Sequence, residues 1–169
     1  HEDHLGAIPY LWKKLGCPIY GTPFTLALLR AKLAEYLPDE HVELRPLDFD
    51  TRHQLGPFSI ELISLTHSIP DAAGLVLRAA GQTVFHTGDW KFDPQPLLGD
   101  TSNTDRLKAL GDEGVLAMIG DSTNAMVEGR TGSEAEAYEG LVDVIQSCSG
   151  RVAVTCFASN VARLDSLVR

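Results

Sequence analysis

Cysteine is scarce in this chain: three residues, Cys17, Cys148 and Cys156, an odd number with no Cys-x-x-Cys pair. That excludes a disulfide-built scaffold and a four-cysteine zinc site, and it predicts a reducing compartment with thiols of no structural role. No apolar run approaches the ~20 residues of a membrane helix, and no basic-then-apolar leader opens the sequence. Basic residues are also in short supply, 14 against 23 acidic ones, for a net charge of -9. Bulk electrostatic grip on a polyanion is therefore excluded, unless bound divalent cations reverse the sign locally. Aromatics make up only 7% and do not interleave with basic residues, so no base-stacking platform is indicated. What is present is 44% hydrophobic and 22% charged residues over 169 positions, enough to bury a core. The expectation is a soluble, cytoplasmic protein. Because the chain opens on His1, and its first residues already resemble part of a site, it reads as a fragment.

Hydrophobic periodicity predicts alternating helices and strands. Leu5 to Leu15 has helical spacing and a stop at Gly16, and Cys17 to Tyr20 reads as a short strand. Thr22-Pro23 predicts a capped helix running to about Tyr36. Strands are predicted at Val42–Leu47 and Phe58–Leu65, with a hairpin of Gly74–Ala79 and Thr83–His86. A short helix is predicted at Leu107–Leu110, followed by a strand at Val115–Ile119. Residues 124–132 are polar and read as a linker. Beyond it come a helix from Glu134 to about Ser147 capped by Ser133, a strand at Arg151–Phe157 and a helix from Asn160 to Arg169. The pattern is α/β or α+β, with a boundary near residue 130.

The chemistry concentrates in four places. His1-Glu2-Asp3-His4 offers two imidazoles and a carboxylate within four residues; a chain of this composition contains His-x-Asp-His by chance about 0.02 times. A tag remnant or solvated terminus is the alternative. His67 follows the strand Phe58–Leu65, and Asp89 follows Thr83–His86 behind Gly88. Strand ends are where a scaffold places functional side chains. Each alone reads as an ordinary surface or turn residue. Together with the opening tetrapeptide they make a nitrogen and oxygen donor set suited to Zn²⁺, and one shared carboxylate suits two ions. Asp121, in Gly120-Asp121-Ser122-Thr123-Asn124-Ala125, is either a turn-capping residue or a group that orients a ligand. His41 and His53 read as solvated, His86 as a hydrogen-bonded packed residue, and Cys148 and Cys156 as core.

On these residues the chain resembles the metallo-β-lactamase-fold hydrolases. His1-Glu2-Asp3-His4 is similar to the last four residues of that family's His-x-His-x-Asp-His motif. His67 matches its third-motif His, and Asp89 its metal-bridging Asp. Gly120–Ala125 resembles the opening acidic motif of the β-CASP nucleases, and Phe157-Ala158-Ser159-Asn160-Val161-Ala162-Arg163 a segment of ribonuclease J-type enzymes. Ile19–Pro23 and Asp89-Trp90-Lys91-Phe92-Asp93 fit the same family.

The resemblance implies a partial αββα sandwich over residues 1–130 and the start of an α/β β-CASP domain over 131–169. It assigns His1 and His67 to a first metal ion, Asp3 and His4 to a second, and Asp89 to both, the ions being two Zn²⁺ or Mn²⁺. Asp3 would also orient the attacking water, and Asp121 would accept an imidazole N–H. The implied activity is metal-dependent hydrolysis of RNA, 5′-3′ exonucleolytic, endonucleolytic or both, in RNA maturation and decay, by a homodimer or homotetramer. The first His of the opening motif and any residue after Arg169 are absent, and Ala162 stands where many relatives carry His. A thioester, lactone or lactam hydrolase and a non-catalytic RNA-binding subunit share the fold and are the alternatives. The helix after Ser159-Asn160 is expected to offer RNA a phosphate site through Ser159, Asn160 and Arg163. The alternative is that Ser159 only caps that helix.

Overall fold

Strand β4 (Phe58–Ser64) organises the structure, a computed structural model that describes all 169 residues. Its period of two sends Ile60 and Leu62 to one face of a sheet and Glu61 and Ile63 to the other, and all four are buried. The sheet has the order β3 (Arg52–Leu55), β4, β5 (Ala73–Ala79), β6 (Gln82–His86) and β7 (Ala117–Ile119). β3 to β6 form an antiparallel meander, and β7 joins β6 in parallel, with Phe85 opposite Met118. Ala80 and Gly81 turn the β5–β6 hairpin with φ of 49° and 75°, the two positive values a type I′ turn needs.

On the first face, Leu47, Ile60 and Leu62 pack with Tyr20, Phe49, Leu55, Leu75 and Leu77. Beyond that cluster a two-stranded parallel sheet, β1 (Ile19–Gly21) with β2 (Leu44–Pro46), carries helix α3 (Pro23–Tyr36). Thr22 caps α3 by accepting the Thr25 N–H, and Leu26, Leu29 and Leu33 line the helix's buried side at helical spacing. Ile8 and Trp12 of α2 (Ile8–Leu15) complete that cluster. On the opposite face, α4 (Thr104–Glu113), capped by Asn103, covers Ile63, Val76 and Phe85 with Leu107 and Leu110. Each such fully buried side chain contributes about 1.5–3 kcal/mol.

Glu61 lies under α4 and would be costly there unpaired. Arg106 binds it through Nε and Nη2, and Arg78 through Nη1 at 2.8 Å. Arg106 and Arg78 also hold Glu113, at 2.8 and 2.9 Å. Burial pulls the Glu61 carboxyl up, but the guanidinium hydrogen bonds from Arg106 and Arg78 reverse this and hold it below its ordinary range.

Several predicted elements need correction. The expected first helix is two: α1 (Glu2–Leu5) ends at Gly6, and α2 restarts with Pro9 in its first turn, where its missing N–H costs nothing. The Val42–Leu47 strand is confined to Leu44–Pro46, and α4 extends well beyond Leu107–Leu110. Strand β3 was not anticipated. Arg151–Phe157 is not a strand: no strand of this chain pairs with it, and Val152, Val154 and Phe157 are exposed. Cys148 and Cys156 are exposed rather than core, because no layer covers the end of α5 (Glu134–Ser147) or the segment after it. His53 has a buried Nε2 without a partner rather than a solvated ring. His86 is exposed, its Nδ1 accepting the Gly88 N–H at 3.0 Å.

Candidate metal centre

Two loops at the ends of β4 and β6 and the first turn of α1 converge on one point. The β4 loop is fixed at Thr66, whose N–H donates to Ser102 Oγ at 2.8 Å and whose carbonyl accepts from the Lys91 N–H at 2.9 Å. His67 is the next residue. The β6 loop is fixed at Thr87: its N–H donates to the Ile119 carbonyl at 2.9 Å, and its hydroxyl accepts the Asp121 N–H at 3.0 Å. Gly88 then turns with φ of 61°, where an added Cβ would lie 3.1 Å from the Ala73 carbonyl oxygen. Only glycine passes there without displacing β5, and the turn aims Asp89 back toward His67.

Asp89 divides its two oxygens. Oδ1 lies 2.9 Å from His4 Nε2, and Oδ2 lies 3.6 Å from His67 Nε2. His1 Nε2 sits 3.1 Å from Ser68 Oγ, and the His1 and His67 rings meet edge-on, centroids 4.9 Å apart. His4 Nε2 is also 3.7 Å from Asp3 Oδ2. Two groups of donors result, His1 with His67 and Asp89, and Asp3 with His4 and Asp89; within each, one donor atom per residue lies within 4.8 Å of the others. Neutral imidazole nitrogens and carboxylate oxygens at this spacing fit a borderline divalent ion such as Zn²⁺, and Mn²⁺ is compatible with the same set. The structure thus brings together the five residues expected as ligands, His1, Asp3, His4, His67 and Asp89. Burial holds the His67 imidazole below its ordinary value, against the upward pull of Asp89 and Asp121, and the unprotonated ring is the form that ligates.

Asp121 behaves differently from expectation. Its Oδ1 accepts the Thr123 hydroxyl at 2.7 Å and the Thr123 N–H at 2.9 Å, and these bonds, the hydroxyl first, hold its carboxyl below the ordinary range. It makes no hydrogen bond to an imidazole and acts on His67 only through its charge. The short turn to Thr123 satisfies it first. Asp121 lines, with Asp3, His67, Asp89, Trp90 and Arg130, a cleft of about 860 Å³.

The RNA-binding trio needs a similar correction. The cap of α6 (Val161–Val168) is Asn160, not Ser159: Asn160 Oδ1 accepts the Arg163 N–H at 2.9 Å. The Val161 N–H donates to the Ser159 carbonyl, Ala162 to Ser68 and Leu164 to the Asn160 carbonyl, so the helix start has no spare N–H for a phosphate. The Arg163 guanidinium is held by Glu134 Oε2 at 3.2 Å.

Sequence reading missed Ser68, which hydrogen-bonds the His1 ring, and it missed Glu134. Ser68 carried a signal, being adjacent to His67. Glu134 carried none, since it looks like any acid in the first turn of a helix.

Comparison with known proteins completes the description. Residues 1–107 match the family described as "Beta-lactamase superfamily domain". Over 167 residues the chain is 43% identical to "Ribonuclease J" of Sinorhizobium meliloti, covering 99% of this chain and 30% of that protein. It is also 43% identical to "Ribonuclease J" of Thermus thermophilus over 175 residues, again 99% and 30%. Among solved structures, a protein of unknown function from Enterococcus faecalis V583 superposes with a TM-score of 0.64 at 18% identity, over 89% of this chain and 39% of that one. The chain spans about a third of the length of the curated relatives it matches. No helix is long and apolar enough to cross a membrane.

Proposed function

The chain belongs to the β-lactamase superfamily domain family, and from that premise we propose that it supplies the metal-binding part of a ribonuclease. The reaction is hydrolysis of RNA phosphodiester bonds, 5′-3′ exonucleolytic, endonucleolytic or both, in RNA maturation and decay. What supports this reading is its similarity to ribonuclease J together with one geometric observation: Asp89 faces His4 with one carboxylate oxygen and His67 with the other. A single residue serving both donor groups suits a pair of ions rather than one.

His1, His67 and Asp89 would hold one divalent ion and Asp3, His4 and Asp89 the other, Zn²⁺ being the first choice and Mn²⁺ the second. When bound, such a pair supplies Lewis acidity toward the phosphoryl oxygens and lowers the pKa of water. The chain's own residues do the rest. Ser68 orients the His1 ring through its Nε2. Asp3 is exposed, with no hydrogen bond from a neighbouring N–H or O–H, and besides holding an ion would orient the attacking water. Asp121 keeps a negative charge at the cleft wall near His67. Arg130, in the same cleft, lies 3.5 Å from Glu136 Oε1 and is exposed enough to turn from it to a phosphate. Of the trio at α6, the Ser159 hydroxyl and the Asn160 amide N–H groups remain available to RNA. The same reading assigns residues 1–130 to the catalytic core and 131–169 to a β-CASP domain. It extends to a cytoplasmic homodimer or homotetramer for the protein expressed from the whole gene.

In that protein, metal analysis is expected to return two divalent ions per chain. Asp89→Ala should release most of them and lower RNA cleavage by about a hundredfold or more, at the upper end for a lost support of a metal site. No bound ion, with cleavage undiminished in chelator, would overturn the reading.

A further inference from the structure

Residues 131–169 are tied to the two ligand-bearing loops by buried charge and backbone hydrogen bonds. The Asp93 side chain is fully buried, at 0% exposure. Its Oδ2 accepts the Glu134 N–H at the start of α5 at 2.8 Å, and its Oδ1 accepts the Gln95 N–H at 2.9 Å. Lys91 Nζ lies between two carboxylates, 2.9 Å from Glu134 Oε1 and 3.3 Å from Asp93 Oδ2. Glu134, itself buried, continues to Arg163 of α6 at 3.2 Å. Four charges thus alternate in sign from the β6 loop to α6: Asp93, Lys91, Glu134, Arg163. Buried charges arranged this way satisfy one another, and removing one leaves its neighbours uncompensated.

The series reaches the Asp89 and His67 loops through the backbone. Lys91 is two residues from Asp89, and its N–H donates to the Thr66 carbonyl beside His67 at 2.9 Å. Fixing Lys91 therefore fixes the span between Asp89 and His67. At the other end, the Ala162 N–H donates to the Ser68 carbonyl at 3.1 Å, and Ser68 holds the His1 ring. Both ligand loops are thus fastened to the same helical pair.

We infer that Lys91, Asp93 and Glu134 are positioning residues: through them the docking of α5 and α6 sets the Asp89 loop against the His67 loop, and with it the ion affinity of both donor groups. This rests on the metal-centre reading above. A substitution in α5, outside the residues that line up as ligands, would then loosen the centre.

The test uses the protein expressed from its whole gene, stripped of metal by chelator, with two readouts. Hydrogen–deuterium exchange follows residues 87–95, and Zn²⁺ affinity is measured by competition with a chromophoric chelator. Glu134→Gln and Lys91→Met should each speed exchange of that loop and weaken Zn²⁺ binding by about tenfold, as lost supporting contacts to ligands do. The double variant should be no worse than the poorer single one, because both break the same link. Lys91→Arg, which keeps the charge, should restore most of the affinity. Should Lys91→Met fail to fold, Arg163→Gln gives the same test at the outer end of the series, with a smaller effect. Unchanged loop exchange and affinity, or loosening spread equally over β4 and β5, would overturn the inference. A wild-type protein that binds no Zn²⁺ would overturn the metal reading instead, while the exchange measurement still decides whether the charges hold the loop.

Discussion

Strands β4 and β7 belong to one sheet and are both apolar at their centres, yet they end in opposite environments. Ile63 of β4 is 0% exposed, whereas Met118 of β7 is 67% exposed. β4 has a strand on each side, the Leu47–Tyr20 cluster over one face and α4 over the other. β7 has one neighbour and no helix above it. The same contrast separates the β4–α4 region from Val152, Val154 and Phe157, which have a strand's composition and no partner. An apolar run states a demand for cover; whether it becomes core depends on a second element arriving.

The comparison breaks hardest at Glu61, the polar residue that the buried side accepts only because Arg106 and Arg78 clasp it. Glu61→Ala should cost about 3 kcal/mol in chemical denaturation, the low end for a broken buried pair, since Arg106 and Arg78 lose one carboxylate and keep only Glu113. A cost below about 1 kcal/mol would mean that water reaches the cluster.

Acid should weaken that region, and the Asp93 link to α5, next. Glu61, Glu113 and Asp93 all have carboxyls held below their ordinary values, in each case by hydrogen bonds that outweigh the upward pull of burial. A depressed folded-state pKa contributes stability that is complete above the unfolded value, about 4 to 4.5, and is lost as pH falls through the folded one. Denaturation midpoints should therefore be flat from neutral pH to about 5 and fall below about 4. In Glu61→Ala the fall should be shallower, because one of the three groups is gone.

The smallest effect is expected where the comparison is sharpest. Met118→Ala should change stability by no more than about 0.5 kcal/mol, as for an exposed side chain. Ile63→Ala should cost about 2–5 kcal/mol. If the two cost the same in the protein expressed from the whole gene, β7 is covered there by residues beyond these 169.

Most of the sheet and much of the site could be read from the sequence, for reasons that local physics supplies. Thr22-Pro23 announces α3 because a cap and a fixed φ act within one turn, and the β5–β6 hairpin announces itself through Ala80-Gly81. His67 and Asp89 were legible because each follows a strand closely. β3 was not, because Arg-His-Gln-Leu has no apolar alternation and pairs along an edge where only Leu55 joins the core. The Arg151–Phe157 strand was wrongly expected, since propensity alone supplies no neighbour. Asp121 is taken by Thr123, two residues away, whose hydroxyl and N–H both reach its Oδ1 within one short turn, a local competitor that ligand spacing does not reveal. The Lys91–Glu134 link joins positions 43 residues apart, and nothing local encodes it.

The parallel pairing of β7 also orders the way the molecule comes together. Only two residues separate β3 from β4 and two separate β5 from β6, while eight lie between β4 and β5. From β6 to β7 the chain must close thirty residues, including α4 and the Asp89 loop. By loop-closure entropy that step is dearer than a two-residue turn by about 2.4 kcal/mol, before any new contact returns it. The meander can therefore zip up on local contacts alone, leaving the carboxylate that both donor groups share among the last residues to find its place.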